Sequence, residues 1–142
     1  MQNAGDEKAQ LKSDEGERLT AYKDSLGNVT VGVGHKVIDN DKIKLGDQIT
    51  QERSNQLFDS DYEQASEHAQ SYGYSGPEAN NILTNMVFQM GKKGVDGFTG
   101  MHKALKEGNY SKAADEMLDS KWAKEQTQER AQRLADRMRK IE

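Results

Sequence analysis

The sequence predicts an α+β protein that is mainly α, with a small N-terminal β-hairpin lobe, a connecting helix and a C-terminal helical lobe. Three observations predict it. Val29, Val31 and Val33 alternate with Thr30, Gly32 and Gly34 behind a Gly27-Asn28 turn, which is the period of a strand leaving a hairpin. Phe58, Tyr62, Ala65 and Ala69 recur at spacings of four, three and four, the period of an amphipathic helix. Beyond Pro77 the apolar residues repeat at helical spacing almost to the end of the 142-residue chain.

Each element follows in order. Met1 to about Ala9 is polar and without pattern, and reads as a frayed lead-in to a short helical pattern ending at Glu15, with Gly16 releasing the chain. Arg18 to Val33 reads as the hairpin, its turn formed by Lys23-Asp24-Ser25-Leu26-Gly27-Asn28. Val37 to Ile49 is mixed, with room for a third short strand, which places the β-containing lobe at about 14–49. Thr50 is a plausible N-cap for the connecting helix, about 50–70, and Ser71 to Pro77 breaks it. The helical lobe, about 77–142, opens with the most apolar segment of the chain, Ile82, Leu83, Met86, Val87 and Met90. This should be the central buried helix, ended by Gly91 as a left-handed C-cap. Three shorter helices follow, roughly Thr99–Glu107, Ser111–Ser120 and Thr127–Ile141.

Composition narrows the functions. Only 33% of residues are apolar and 31% are charged, yet the formal charge is just -4, so repulsion alone does not keep the chain open. The absence of cysteine excludes disulfides, a thiol nucleophile and thiolate metal sites, and suits a reducing compartment. No stretch approaches a membrane span, and Met1 to Gln10 has no apolar core of a signal peptide, so no export signal is expected. Charge is uneven: residues 1–71 hold 14 acids and 8 bases, residues 72–142 hold 10 acids and 12 bases. Lys121 to Lys140 carries seven of those bases, either a solvated helix face or a docking surface for an anionic polymer.

Chemistry is suggested by Glu15 at a helix end, Asp24 in the hairpin turn and Thr30 on the returning strand. Two carboxylates on converging elements, plus a hydroxyl, can cleave a glycosidic bond: one protonates the leaving oxygen and the other orients a water across the ring. In a chain with 24 acids such a pair also arises by chance. Taken singly, Asp24 is an ordinary turn former, Thr30 a strand residue and His35 a hydrogen-bonding residue at a strand end.

The run from Asp14 to His35, Asp-Glu-Gly-Glu-Arg-Leu, then Tyr-Lys-Asp, then Thr-Val-Gly-Val-Gly-His, resembles the active-site signature of the phage-type lysozymes, notably those of T-even bacteriophages. Asn85 to Gly91 resembles their central helix, and Lys121-Trp122 with Gln126-Thr127 and Arg130 to Arg133 their closing helical segment. The resemblance covers roughly Leu11 to Arg133 and implies a single two-lobed lysozyme domain with its cleft between lobes. By the same resemblance Glu15 is the general acid, Asp24 the carboxylate that positions water or stabilises positive charge, and Thr30 the hydroxyl that helps hold the water. His35 and Arg130 are implied to support the acid, and Gly34, Lys36 and Phe88 fall at or beside substrate-binding positions.

The implied enzyme is an endolysin, a muramidase cutting the β-1,4 bond between N-acetylmuramic acid and N-acetylglucosamine in peptidoglycan with inversion. No metal and no cofactor is implied. A monomer is expected, held in the host cytoplasm until a separate pore-forming holin gives access to the periplasmic wall, with no membrane span and no nucleic-acid partner. Two relatives of this reaction are a lytic transglycosylase and a virion-associated lysozyme domain of a tail or injection apparatus. The chain departs from the family at Met101 and Glu116, where serine and asparagine are usual. Its first helix carries Glu7, Lys8, Gln10 and Ser13 at mostly apolar positions, leaving Ala9 and Leu11, so that helix is expected to dock weakly.

Overall fold

The structure, a computed structural model, describes residues 4–141 of the chain. In order come α1 (Ala4–Glu15), β1 (Arg18–Lys23), β2 (Val29–Gly32), β3 (His35–Lys36), a 3-10 turn (Asp39–Asp41), α2 (Gln51–Ser71), α3 (Pro77–Asp96), α4 (Thr99–Lys106), α5 (Tyr110–Leu118), a π-turn (Trp122–Gln126) and α6 (Gln128–Arg139). It is mainly helical with one small antiparallel sheet of order β1-β2-β3, the α+β class expected. Two compact units result: Lys8–Gln64, and the chain from Ala65 onward together with the N-terminal end up to Glu7.

In the first unit the hairpin forms where the turn residues demand it, with Tyr22 opposite Thr30 and Lys23 opposite Val29. Two details differ from expectation. Val33 does not continue the strand, because Gly32 closes β2 and Val33-Gly34 turns the chain into β3. The third strand is therefore His35–Lys36, pairing with Thr30 and Val31, and lies before the Val37–Ile49 segment. That segment instead forms the 3-10 turn and a single bridge between Gln48 and Thr20. Strict alternation also fails on β2, since Thr30, Val31 and Gly32 are all buried. One apolar cluster of this unit joins Ala21, Val31 and Leu57 with Val29, Val37, Ile43 and Ile49 around them, and Leu11, Val33, Phe58 and Tyr62 are buried as well.

Helix α2 starts as its sequence predicts: Thr50 Oγ1 accepts from Arg53 N at 3.0 Å, satisfying one of the amides that the first helical turn leaves unpaired. Phe58, Tyr62, Ala65 and Ala69 are all buried along one stripe.

The lead-in expected at Met1–Ala9 is helical from Ala4; Met1 to Asn3 lie outside the described residues. The contacts of α1 are also not those of Ala9 and Leu11 as a pair. Ala9 is exposed, and the anchors are Leu11, Glu7 and two lysines. Lys8 Nζ lies 5.1 Å from the Tyr62 ring centre and Lys12 Nζ 5.0 Å from that of Phe58, so two i,i+4 lysines cover two i,i+4 aromatic faces. Glu7 belongs to the second unit and is fully buried there. Asn85 Nδ2 donates to its Oε1 at 2.7 Å, and Arg137 Nη2 lies 2.9 Å from its Oε2 and 2.7 Å from Glu78 Oε1. Burial works against the Arg137 charge, but the carboxylates of Glu78 and Glu7 outweigh it and raise its pKa.

The second unit is a helical core of nineteen buried residues, with Ile82, Leu83 and Met86 of α3, Met117 of α5 and Leu134 and Met138 of α6 fully enclosed. Gly91 interrupts α3 but does not cap it in the left-handed helical region. With φ 80° and ψ 167° it bends the backbone, and the helix resumes to Asp96. Trp122 packs as expected, its ring edge against Phe98 and its Nε1 donating to Gln89 Oε1 at 2.8 Å. The basic stretch is largely engaged inside the unit: Arg130 with Asn85, Arg137 with two glutamates, Arg139 with Asp115 and Lys124 with Asp119. That removes most of the continuous surface a polyanion would track.

Candidate active site

Six of the sequence-predicted residues, Glu15, Asp24, Thr30, Gly34, His35 and Lys36, fall in the Lys8–Gln64 unit. Glu15 is the last residue of α1, and the chain turns out of the helix as Gly16 N donates to Lys12 O at 2.9 Å. Its half-buried carboxylate lies against the turn between β2 and β3. A Cβ added at Gly34 would sit 3.1 Å from Glu15 Oε1, and Gly34 has φ +63°, so both backbone and space call for glycine there. The fold thus brings Glu15 and Gly34 together.

Asp24 is built into the hairpin turn. Its Oδ1 accepts from Asn28 N at 2.8 Å and Leu26 N at 2.9 Å, and Asn28 Nδ2 reaches Oδ2 at 3.5 Å. The Asn28 N–H does most to lower its pKa; burial opposes, and Leu26, the Asn28 side chain and the charge of Lys36 add to the lowering. Asp24 is therefore held as a carboxylate. Lys36, exposed on β3, contributes through its charge, and no hydrogen bond from it to Asp24 is formed.

Thr30 is buried on β2, and its Oγ1 donates to Asn28 O at 3.1 Å. Asn28 is thus the hub that sequence reasoning missed, gripping the Asp24 carboxylate with its amide and receiving the Thr30 proton on its carbonyl. With its own proton directed at Asn28, the threonine oxygen is left to act as an acceptor, the role a positioned water would need.

His35 is clamped by two carboxylates, Nδ1 2.6 Å from Asp61 Oδ2 and Nε2 2.8 Å from Asp41 Oδ2. Asp61 raises its pKa most, burial opposes, and Asp41 adds to the rise. In Asp41 burial raises the pKa, but the Ile38 N–H and His35 together lower it. The imidazolium therefore ties β3 to the 3-10 turn and to α2, one residue after Gly34. Neither aspartate carries a local sequence signal for this role; Asp61 is 26 residues away and is joined to His35 only by the fold.

The other two predicted residues belong to the second unit. Arg130 is buried on α6, where its Nε donates to Asn85 Oδ1 at 2.9 Å, and the same asparagine donates to Glu7. Phe88 is half-buried on α3 against the helical core.

Residues 12–141 match the family model for phage lysozyme. The chain belongs to the phage lysozyme family. It is a glycoside hydrolase of the muramidase type, and its family acts on peptidoglycan. This lysozyme is 33% identical to a probable T4-type lysozyme of Dictyostelium discoideum over 89% of both chains, and 35% identical to the endolysin of Salmonella phage P22 over 83% of this chain and 82% of that one. It is also 33% identical to the pre-baseplate central spike protein of Enterobacteria phage T4, matching 87% of this chain but 26% of the spike protein. No helix of this lysozyme, among the described residues, is long and apolar enough to cross a membrane.

Proposed function

We propose that the chain is an endolysin that hydrolyses the β-1,4 bond between N-acetylmuramic acid and N-acetylglucosamine in bacterial peptidoglycan, with inversion at the anomeric carbon. The observation that carries this reading is the difference between the two carboxylates. Asp24 is kept ionised by two backbone N–H groups in a wet turn, while Glu15 is half-buried against Gly34 at a helix end. Separate environments suit separate roles. Glu15 gives its proton to the glycosidic oxygen as the bond breaks, and Asp24, with the Thr30 oxygen as a second acceptor, orients the water that attacks the opposite face of the sugar. Gly34, Lys36 and Phe88 are assigned to the sugar chain, and His35 and Arg130 to holding the segments that carry the site. The reaction needs no cofactor. In this reading the chain works as a monomer, accumulates in the host cytoplasm and reaches the wall through a holin's pore.

The decisive experiment is the muropeptide profile of digested sacculi, for the native chain and for Glu15→Gln. Removal of a general acid costs roughly two to four orders of magnitude in rate, so Glu15→Gln should release almost nothing while keeping its circular-dichroism spectrum. Full activity in that variant would end the assignment. Products lighter by one water would replace hydrolysis by transglycosylation. The likeness to a spike protein favours one alternative setting, a lysozyme carried in the virion. Mass spectrometry of purified particles separates it from an endolysin found only in the lysate.

A further inference from the structure

A pocket of about 660 Å³ opens in the second unit, lined by Ser71, Tyr72, Tyr74, Lys92, Asp96, Thr99, His102, Lys103 and Lys106, and it shares no residue with the candidate catalytic set. The rings of Tyr72 and Tyr74 stack at 6.0 Å and 22°, and His102 lies 4.6 Å from the first and 5.7 Å from the second. Every polar tip of this trio is already bonded. Tyr72 Oη donates to Asp96 Oδ1 at 2.5 Å, Tyr74 Oη pairs with His102 Nδ1 at 2.6 Å, and His102 Nε2 lies 2.9 Å from Val95 O. A carbonyl only accepts, so Nε2 carries the proton, and in neutral His102 the other nitrogen accepts from Tyr74. The rings are fixed before any ligand arrives, which cuts the ordering cost of binding.

Charge completes the pocket. Lys92 is paired with Asp96 at 2.7 Å, whereas the ammonium groups of Lys103 and Lys106 have no hydrogen bond or ion pair among the described residues. Three positions apart on α4, they share one face at the pocket rim. An aromatic floor, two free cations and the Thr99 hydroxyl define the ligand as a flat-faced, hydroxylated anion. The size is right for one or two sugar rings.

We propose that this pocket is a second saccharide site that takes N-acetylmuramic acid units whose lactyl carboxylate is free, as on glycan strands without their stem peptides, and tethers the enzyme to that polymer. The inference rests on the reading of the chain as a peptidoglycan hydrolase. A single-stranded nucleic acid would also stack on such rings. It would need a basic track beyond the pocket to follow its backbone, and Lys124, Arg130, Arg137 and Arg139 are bound to internal partners instead.

The test uses the full chain in solution. N-acetylmuramic acid, N-acetylglucosamine and a thymidine oligonucleotide are titrated separately while the backbone amides and the His102 ring are followed by NMR. N-acetylmuramic acid should produce saturable shifts at Tyr72, Tyr74 and His102. Loss of its charge-assisted contact should make N-acetylglucosamine about tenfold weaker, and the double variant Lys103→Glu/Lys106→Glu weaker by at least that factor. The lysines are exposed, so the variant's unchanged thermal midpoint certifies its fold. Absent shifts, equal affinity for the two sugars, binding untouched by the double variant, or tighter binding of the oligonucleotide would each overturn the proposal. Muropeptide release from sacculi is measured in parallel. Saturable shifts without release keep the site and remove the reaction, and release without shifts does the reverse.

Discussion

The two compact units are held together by different physics. The Lys8–Gln64 unit buries few apolar side chains, Leu11, Ala21, Val31, Val33, Leu57, Phe58 and Tyr62 among the described residues, and is laced with polar cross-links. Asp24 is tied into its turn, Ser54 Oγ donates to Glu17 Oε2 at 2.6 Å, and His35 is clamped between Asp41 and Asp61. The helical unit encloses nineteen apolar residues around α3. A buried ionic cluster, Glu7, Glu78 and Arg137, lies in the same unit and is joined to Arg130 through Asn85. Packing energy scales with the apolar area removed from water, whereas hydrogen bonds between titratable groups depend on pH. The candidate catalytic carboxylates stand in the unit with the smaller apolar core and the richer polar geometry, and the proposed chemistry, which aims a proton and a water, calls for fixed polar atoms.

That contrast can be broken most forcefully in the core. Leu134→Ala removes a fully enclosed side chain from the helical unit and should cost about 2–5 kcal/mol in urea unfolding. Val31→Ala in the small core should cost less, having fewer methyl groups and fewer buried neighbours to lose. Equal losses would show that the sheet unit is packed as firmly as the helical one.

A pH series sharpens the comparison next. The folded pKa of His35 lies above its unfolded value of about 6.5, so its contribution is complete below that pH and is lost as pH rises through the folded value. Asp41 has the opposite sign: its folded pKa is lowered, so its contribution is present above about 3.9 and is lost as pH falls through the folded value. The clamp is therefore strongest in the mildly acidic range between them. His35→Gln should flatten the decline of the thermal midpoint above neutral pH, and hydrogen exchange should place that change in β3 and α2. A variant with the native pH profile would remove the clamp from the ledger of this unit.

The smallest effect is local. Thr50→Ala removes the cap of α2 and should cost about 1 kcal/mol, read as faster amide exchange at Arg53 and Ser54. An effect confined to the first turn of α2 would leave the core comparison intact.

Much of this was legible in the sequence because the signals are local. The Asp24 to Asn28 turn, the Thr50 cap, the buried stripe of α2 and the apolar run of α3 each sit within a few residues of the physics that makes them. The signature from Asp14 to His35 likewise marks Glu15, Asp24 and Thr30 in one stretch. Several misreadings involve distant partners, and others a local turn. Glu7 reads as a flaw in the first helix, and Arg137 as one base of a basic stretch, because nothing nearby shows that they pair in the interior. Lys8 reads as a poor anchor for α1 because the ring that it covers, Tyr62, lies on α2. Val33 reads as strand because alternation does not reveal that Gly32 and Gly34 turn the chain.

By itself, then, the sequence determined the element order, the caps and turns, and the chemical types available for catalysis, since these depend on contacts a few residues long. Tertiary structure alone decided which charges are buried and that Asp61 meets His35. Each of those outcomes depends on the desolvation of groups far apart in the chain, and desolvation exists only once the chain has folded.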